Sequence, residues 1–511
     1  TNPLGGSGLT AGSSPSWGNK VVWSLSEPFS AYEWFPVKQS LTDKADSCAV
    51  AITVPDTCKA GSNGVLQSVT PLGNGQTRYE WKHKHPIDYY LISVAVAKYV
   101  DYSIYANPVG SPNPVLIQNY IYDNPQTLPN FIDDINETVD FLELFATQFG
   151  PYPFANEKYG HCMAPIGGGM EHQTMTTQGF FEKTLTAHEL AHQWWGNHVT
   201  CASWCDIWLN EGFASYAEYL MLAQLYTGQQ SGHMNQVHQN VMSQPGGSVW
   251  VLDSLNEARI FSGRLTYDKG AAIIHTIRYI INNDNLFFDA LKDFQLTYAH
   301  STATGLDFKN HVANFCNLDL DAFFEQWYFG EGYPTYQVSY NQVGNDLVLQ
   351  ISHTSSMPNV TPTFTNPINL RLQRAGFADT IVRFPITGNS DLFTLNNFGQ
   401  LSGNITIDPF NWVVNGTAGV SMDPTLSAGQ NLPTYQKGIL LFPNPTNDFI
   451  QIFEQAIEYN YIIYSSIGTL IAQGNLQPGQ KIDVGAYKPG DYICYFSDAS
   501  KNKFVKLVTI K

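Results

Sequence analysis

The stretch T-A-H-E-L-A-H-Q-W-W-G-N (residues 186–197) constrains this chain more than any other feature. His188 and His192 are four residues apart, so on a helix they share one face and lie one turn apart. Glu189 follows the first histidine and reaches the same point from the side. Two imidazoles and a carboxylate in this arrangement predict a zinc site, in which Glu189 acts on the metal-bound water.

A second stretch, W-L-N-E-G-F-A-S-Y-A-E-Y-L (residues 208–220), supplies a third ligand. A catalytic zinc ion takes three protein ligands and keeps one position open for water. Glu211 follows His192 after eighteen residues, on a second predicted helix, and Glu218 lies two turns further along the same face. We predict one zinc ion per chain, bound by His188, His192 and Glu211, with Glu218 as the partner of a ligating imidazole. The alternative is two buried helices whose histidine pair is satisfied within the core.

The charge balance and composition restrict the class of protein. The formal net charge of −17 argues against nucleic acid or anionic membranes as partners. Charged residues make up 14% and aromatic residues 14% of the chain, which suits an extracellular protein rich in β-structure. No apolar run is long enough to span a bilayer, so we expect no membrane span. We also expect the protein to be a monomer.

The 511 residues predict an α+β multidomain protein. Alternating apolar residues indicate an N-terminal β-domain over 1–102, and helical periodicity predicts a mainly helical zinc catalytic domain over 103–332. A β-sandwich domain is predicted over 333–415. A Gly/Ser/Pro-rich linker over 416–436 and a small C-terminal β-sandwich over 437–511 complete the chain.

The seven cysteines form no C-x-x-C pair, so a second zinc site is not expected. Cys48 with Cys58, or Cys201 with Cys205, forms a local disulfide if the compartment is oxidising. Buried free thiols are the alternative.

Two further segments carry candidate site residues. In G-G-G-M-E-H-Q-T (residues 167–174), a glycine-rich strand can pair with an extended peptide, and Glu171 offers a carboxylate to a cationic group. A tight glycine turn with a solvated Glu171 is the alternative. Tyr267, at the start of a predicted helix, is a candidate donor to the oxyanion that peptide hydrolysis generates, although a tyrosine there more often packs in the core. In this scheme Glu189 takes the water proton and passes it to the leaving amine.

The chain resembles the zinc aminopeptidases of peptidase family M1. The resemblance rests on H-E-L-A-H with Glu211 in N-E-G-F-A, on G-G-M-E-H, on T-Y-D-K-G and on S-E-P-F-S-A-Y-E-W-F-P, in the family's order over about residues 20–335. It implies a thermolysin-like catalytic domain and removal of N-terminal residues from peptides with a free N-terminus. By this resemblance Glu27 and Glu171 bind the substrate's α-amine, and Gly168 and Gly169 hold its backbone. It also implies that Tyr267 stabilises the tetrahedral intermediate and that Glu218 orients a histidine ligand.

The chain departs from the family pattern in three ways. His172 stands where the family has asparagine, which changes how the amine-binding strand is braced. The first domain begins part-way through the family's β-domain, which suggests a truncated N-terminal domain. No large helical domain follows the β-sandwich, so we expect a more open site.

The last unit resembles the type A C-terminal sorting domain of the type IX secretion system. Its F-P-N-P start, its G-D-Y strand and its lysine-containing last strand match that domain. The resemblance implies a Bacteroidota source, the secretion machinery as a partner, and a secreted or cell-surface protein. A generic β-sandwich binding module is the alternative.

These observations favour a zinc-dependent aminopeptidase. A zinc endopeptidase is the second hypothesis within enzymes, although it would not need two carboxylates at an amine subsite. A catalytically silent peptide-binding protein is the third hypothesis, although it would have no use for the base Glu189.

Overall fold

The structure, a computed structural model, describes residues 7–427, 441–442, 446–452, 457–498 and 503–510. The chain divides into two compact units. The first comprises Thr1–Ser203, Ile207–Gly228 and Asn285–Gly305, and the second comprises Trp204–Asp206, Gln229–Asp284 and Leu306–Lys511. The predicted change from a β-rich N-terminal region to a helical region is confirmed. In the described part of the chain, no helix combines the length and apolar character needed to cross a membrane.

The N-terminal part of the first unit is built from two antiparallel sheets. Alternating burial along their strands places apolar side chains such as Val21, Trp81 and Ala95 in a shared core. In spatial order, the four-stranded sheet contains Leu9–Ser13, Lys20–Ser24, Val94–Ala97 and Lys59–Ser62. The three-stranded sheet contains Cys48–Pro55, Gln76–His83 and Val65–Pro71.

A five-stranded mixed sheet leads to the candidate site. In spatial order its strands are Gly169–Met170, Thr176–Gln178, Tyr159–Met163, Val115–Tyr122 and Tyr99–Ala106. The Tyr99–Ala106 strand crosses the boundary predicted after residue 102, because it pairs along its whole length with Val115–Tyr122. The glycine-rich segment supplies the edge strand Gly169–Met170, which pairs antiparallel with Thr176–Gln178.

Three helices of the first unit pack against one another: α1 (Thr127–Phe149), and α2 (Lys183–Ala191) and α3 (Trp208–Leu225), which carry the candidate site. In α1, residues such as Phe131, Ile135 and Phe145 recur at helical spacing and are buried. The helix ends where Gly150 adopts a φ of +106°, which favours glycine. A further helix, Asp284–Thr297, and a parallel pair of short strands, Val199–Cys201 and Ser301–Ala303, complete this unit.

The second unit begins with helices and continues with β-structure. Its helical segments are Gln230–Met242, Glu257–Ile260, Lys269–Ile281, Gly305–Cys316 and Asp321–Phe323, with π-helical turns at Gly263–Asp268 and Phe324–Phe329. One sheet contains Ser390–Leu395, Asp346–Ser355, Pro334–Val343 and Gly416–Met422 in spatial order. A second contains Thr380–Phe384, Ile368–Leu372 and Thr406–Ile407.

The linker predicted over 416–436 is wrong at its start. Residues Gly416–Met422 form an edge strand that pairs in parallel with Pro334–Val343. Most of its side chains are exposed, so backbone pairing rather than an apolar pattern places it in the sheet. Residues 428–436 of the predicted linker lie outside the described residues.

The described part of the predicted C-terminal β-sandwich, over 437–511, forms two sheets that share one apolar core. Leu441–Phe442, Phe449–Ile452 and Ile482–Asp483 form the smaller sheet. Leu470–Leu476, Tyr459–Ser465, Gly490–Ser497 and Lys503–Ile510 form the larger one. Residues 443–445, within the predicted F-P-N-P start, lie outside the described residues. No disulfide joins any two of the seven cysteines, all of which lie within the described residues.

Candidate functional site

The two histidines of H-E-L-A-H lie at the C-terminal end of α2. The Glu182 side chain caps the start of this helix by accepting hydrogen bonds from the backbone N–H groups of Thr184 and Leu185. His192 follows the helix as its C-cap residue and keeps helical φ and ψ angles, so both imidazoles lie on one face with ring centroids 4.8 Å apart. Both histidines are buried.

Helix α3 brings Glu211 to this pair. Its Oε2 lies 3.1 Å from Nε2 of His188 and 3.2 Å from Nε2 of His192. Glu218, two turns further along α3, lies with Oε1 2.9 Å from Nδ1 of His188. Nδ1 of His192 donates to the Trp195 carbonyl at 2.9 Å.

These hydrogen bonds show that the residues fit a divalent cation. Because Glu218 and the Trp195 carbonyl take the Nδ1 protons, the Nε2 atoms of neutral His188 and His192 carry lone pairs. Both lone pairs then point at a carboxylate oxygen, which is also an electron donor. Three donors that converge in a buried site require a positive charge between them, and two nitrogens with one oxygen suit zinc.

The electrostatics show what holds the ligand set together when no metal is bound. Burial alone would lower the pKa of His188, but the hydrogen bonds that its protonated ring donates to Glu211 and Glu218 raise the pKa well above its usual range, so a proton stands between His188 and Glu211 where a cation would otherwise be. Burial would raise the pKa of Glu211, yet the two imidazoles hold it at about 2. The carboxylate of Glu211 therefore stays ionised, as a metal ligand must.

Glu189 is buried beside the ligand set. Burial raises its pKa to about 8; His188 and His192 oppose this shift, and Glu171 and Glu211 add to it. Its Oε2 has no hydrogen-bond partner among the described residues. A buried carboxylate with a pKa near neutrality and a free oxygen has the properties of a general base.

The edge strand Gly169–Met170 passes directly over Glu189. A Cβ atom at Gly169 would come within 2.3 Å of the Glu189 carboxylate, so glycine permits this close approach. A Cβ at Gly168 would meet no atom of the described residues within 4 Å. The strand therefore packs closely on Glu189 at Gly169 and has open space beside Gly168.

Glu27 and Glu171 place two further carboxylates next to the ligand set. Ligand atoms of Glu27, Glu171 and Glu211 all lie within 4.8 Å of one another. The pKa of Glu27 is raised well above its usual range by burial and then by the charge of Glu171. Burial also raises the pKa of Glu171, against the opposing effect of His192. Oε1 of each residue is buried without a hydrogen-bond partner among the described residues, so the pair can accept hydrogen bonds from a cationic group.

His172, which departs from the family's asparagine, is fully buried. Its Nδ1 lies 2.9 Å from the Thr177 hydroxyl, so it links the turn after Glu171 to the neighbouring strand. Burial lowers the pKa of His172 to about 3, and the imidazole is therefore neutral. The side chain braces the strand without adding charge to the site.

Sequence reasoning missed two residues that hold Glu171 in place. Asn197 donates from Nδ2 to the Glu171 carbonyl at 2.8 Å, and Gln193 donates from Nε2 to the same oxygen at 3.5 Å. Gln193 also accepts from the Thr174 backbone N–H at 2.9 Å. Both lie in H-Q-W-W-G-N, which is buried in the structure. Two amide side chains within an aromatic run were the sign in the sequence that these residues have buried hydrogen-bond partners.

Packing fixes the segment that joins α2 to α3. The Trp195 ring stacks on Phe213 of α3 with ring centroids 3.7 Å apart. Asn210 donates from Nδ2 to the Tyr90 hydroxyl at 3.3 Å and accepts from the Cys201 backbone N–H at 3.1 Å. The two helices that carry the metal ligands are thereby held by buried side chains.

Tyr267 belongs to the second unit, in the π-helical turn Gly263–Asp268, and its catalytic role stays a prediction.

Comparison with known proteins gives two family matches. Residues 170–327 match the peptidase family M1 domain, and residues 440–511 match the secretion system C-terminal sorting domain. Aminopeptidase N of Mus musculus is 32% identical over 181 residues, which are 31% of this chain and 18% of the mouse protein. Leucine aminopeptidase 2 of Vanderwaltozyma polyspora is 26% identical over 353 residues, which are 63% of this chain and 51% of that protein.

Solved structures show the same fold. An M1 zinc metallopeptidase from Deinococcus radiodurans aligns with a TM-score of 0.51 at 24% identity, over 58% of this chain and 66% of that chain. A two-domain M1 zinc metallopeptidase variant bound to L-arginine aligns with a TM-score of 0.51 at 24% identity, over 57% of this chain and 66% of that chain. The aligned part spans between 18% and 51% of the curated relatives named above. The chain thus carries a peptidase family M1 domain at residues 170–327 and a secretion system C-terminal sorting domain at residues 440–511.

Proposed function

We propose that this protein is a zinc-dependent aminopeptidase that removes the N-terminal residue from peptides. One observation carries the proposal. Two carboxylates whose Oε1 atoms have no partner among the described residues, Glu27 and Glu171, lie beside a buried cluster of two imidazoles and a carboxylate. The metal cluster supports a hydrolase, and the extra carboxylates support recognition of a cationic α-amine. The aminopeptidases among the relatives support the same activity.

In this proposal His188, His192 and Glu211 hold zinc, which would polarise the scissile carbonyl and acidify a water molecule. Glu189 accepts the proton of the attacking water on its free oxygen and donates it to the leaving amine. Its raised pKa suits both halves of this transfer. Glu218 keeps the proton of His188 on Nδ1 and so keeps Nε2 available to the metal.

The substrate's position follows from the carboxylates and the edge strand. Glu27 and Glu171 accept hydrogen bonds from the α-ammonium group, which limits the distance between the N-terminus and the scissile bond to one residue. Gly168 and Gly169 pair with the peptide backbone by strand addition. Tyr267 donates a hydrogen bond to the oxygen of the tetrahedral intermediate.

The sorting domain extends the proposal to location. A secretion sorting domain implies a secretion machinery as a partner. We propose export by the type IX system to the cell surface or the medium, where the enzyme acts on peptide fragments.

Hydrolysis of leucyl p-nitroanilide and of its N-acetylated form, each with and without a zinc chelator, tests the function. We expect cleavage of the free-amine substrate only, abolished by the chelator and restored by added zinc. Equal cleavage of both substrates would favour the endopeptidase. No cleavage of either substrate by zinc-loaded protein would favour the silent binding protein, and tight binding of leucine amide by calorimetry would then support it.

A further inference from the structure

The C-terminal sorting domain contacts the helical part of its own unit through aromatic side chains. Trp250, which precedes the helix Glu257–Ile260, is 1% exposed. Its ring centroid lies 5.9 Å from that of Tyr464 and 6.1 Å from that of Tyr495, both in the sorting domain. Phe329, in a π-helical turn outside the sorting domain, lies 5.9 Å from Trp250. Trp250 is therefore shared between the sorting domain and the rest of the second unit.

A glycine turn of the sorting domain fits closely against the same place. The turn after Tyr459–Ser465 brings the Ile467 carbonyl to 3.9 Å from Sγ of Cys205. Gly468 has a φ of +80°, and a Cβ there would lie 2.3 Å from the Cys205 sulfur. Any larger residue at this position would force either the turn or the side chain of Cys205, which is 1% exposed, to move.

Polar contacts surround these aromatic residues. Nζ of Lys506 lies 2.8 Å from Oε2 of Glu325. Asn310 donates from Nδ2 to Oδ2 of Asp491 at 3.1 Å. An apolar centre with a polar rim is the usual anatomy of a specific interface between folded domains.

The contact is incompletely packed. A cavity of ≈ 240 Å³ lies between the two sides. It is lined by Leu252, Phe329 and Val360 on one side and by Ile462, Tyr464 and Phe496 of the sorting domain on the other. Residues that line a cavity forgo part of their dispersion contacts, so this interface is weaker than a continuous core. The sorting domain has an apolar core of its own that does not include Tyr464 or Tyr495, so this core does not depend on the contact with Trp250.

We propose that the sorting domain docks reversibly on the surface formed by Cys205, Trp250, Glu325 and Phe329. The partner of this surface is the chain's own sorting domain. Docking buries Trp250 and the Cys205 thiol, and release of the sorting domain exposes both. This inference is independent of the proposed peptidase activity.

Alkylation of Cys205 in the folded, full-length protein tests the docking. Iodoacetamide labelling of each cysteine is followed by peptide mass spectrometry for the wild type and for Gly468→Ala and Gly479→Ala. Gly479 is the matched control, because its φ of +78° gives the same backbone strain while a Cβ there meets nothing within 4 Å. Cys201, fully buried in the first unit, reports any global unfolding.

We expect Cys205 to label slowly in the wild type and in Gly479→Ala, and at least about tenfold faster in Gly468→Ala, with Cys201 protected in all three. Equal labelling rates of Cys205 in Gly468→Ala and Gly479→Ala would overturn the proposal. So would a labelling rate of Cys205 in the native wild type equal to its rate in urea.

A charge reversal provides a second, independent comparison. Lys506→Glu should raise the labelling rate of Cys205, and Glu325→Lys in the same chain should restore protection. A double variant that labels as fast as Lys506→Glu would count against the docking geometry.

Discussion

Replacement of Glu27 by glutamine should weaken catalysis and stabilise the fold at the same time. Glu27 and Glu171 offer carboxylate oxygens within 4.8 Å of each other. At this separation two negative charges repel by about 3.5 kcal/mol if the effective dielectric constant is about 20. The raised pKa of Glu27 shows that the substrate-free enzyme relieves this repulsion by binding a proton there, at a cost of up to about 3 kcal/mol at pH 7 relative to an ordinary carboxyl group. Because an amide is uncharged, Glu27→Gln avoids both the repulsion and this cost. After relaxation of the site, we expect the free energy of unfolding to rise by about 1–3 kcal/mol.

The same substitution removes one of the two charges proposed to hold the substrate's ammonium group. Loss of one partner from a buried, hydrogen-bonded charge pair costs about 2–5 kcal/mol. Since about 1.4 kcal/mol corresponds to a factor of ten, kcat/KM for leucyl p-nitroanilide should fall about 30-fold or more. Glu171→Gln should behave alike. The double variant should lose less than the product of the two single effects, because both carboxylates bind one ammonium group.

Two measurements on zinc-loaded protein check this reasoning. Thermal melting gives the change in stability, and steady-state kinetics on the free and N-acetylated anilides gives the change in amine recognition. We expect a higher melting temperature together with a lower ratio of free-amine to acetylated cleavage. A Glu27→Gln protein that melts lower than the wild type and keeps its preference for the free amine would refute both the repulsion and the amine anchor.

Substitutions at three other positions test the proposed chemistry. Glu189→Gln should retain one zinc ion by metal analysis and lose about 10²–10⁴-fold in kcat; near-full activity would exclude it as the base. Tyr267→Phe should lower kcat far more than it changes KM in steady-state assays, and an effect confined to KM would assign Tyr267 to binding. Glu218→Ala should weaken zinc binding about 10–100-fold in competition with a fluorescent chelator, whereas Glu218→Gln, which keeps an acceptor for His188 Nδ1, should lose less. Unchanged zinc affinity in Glu218→Ala would show that this hydrogen bond does not tune the metal site.

The metal cluster could be predicted from the sequence because its geometry is mostly local. The four-residue spacing of His188 and His192 is a property of one helix, and Glu211 and Glu218 occupy one face of the next. The amine pocket is different. Glu27 and Glu171 are far apart in sequence, and only the family resemblance, not the spacing, related them to one pocket. The structure shows them within 4.8 Å of each other, and their roles stay predictions.

Elements held by backbone hydrogen bonds were the least predictable. The strand Gly416–Met422 has mostly exposed side chains, so its composition indicates a linker although its backbone pairs with Pro334–Val343. The amides of Gln193 and Asn197 act on the carbonyl of Glu171, a partner that no residue-type pattern specifies. In both cases the partner is main chain, which carries no sequence information of its own.

The charges of the site give a reason why one pocket would need both a metal and a free amine. Glu27, Glu171, Glu189 and Glu211 place four carboxyl groups in one buried region, and the two histidines are neutral when they ligate a metal. A divalent cation compensates two of these charges, and the raised pKa of Glu189 allows it to take a proton. One negative charge then remains, shared by Glu27 and Glu171, and the single positive charge of an α-ammonium group would balance it. A peptide with a blocked N-terminus would leave this charge buried and uncompensated, so the preference for free N-termini would follow from electrostatics before any steric limit of the pocket.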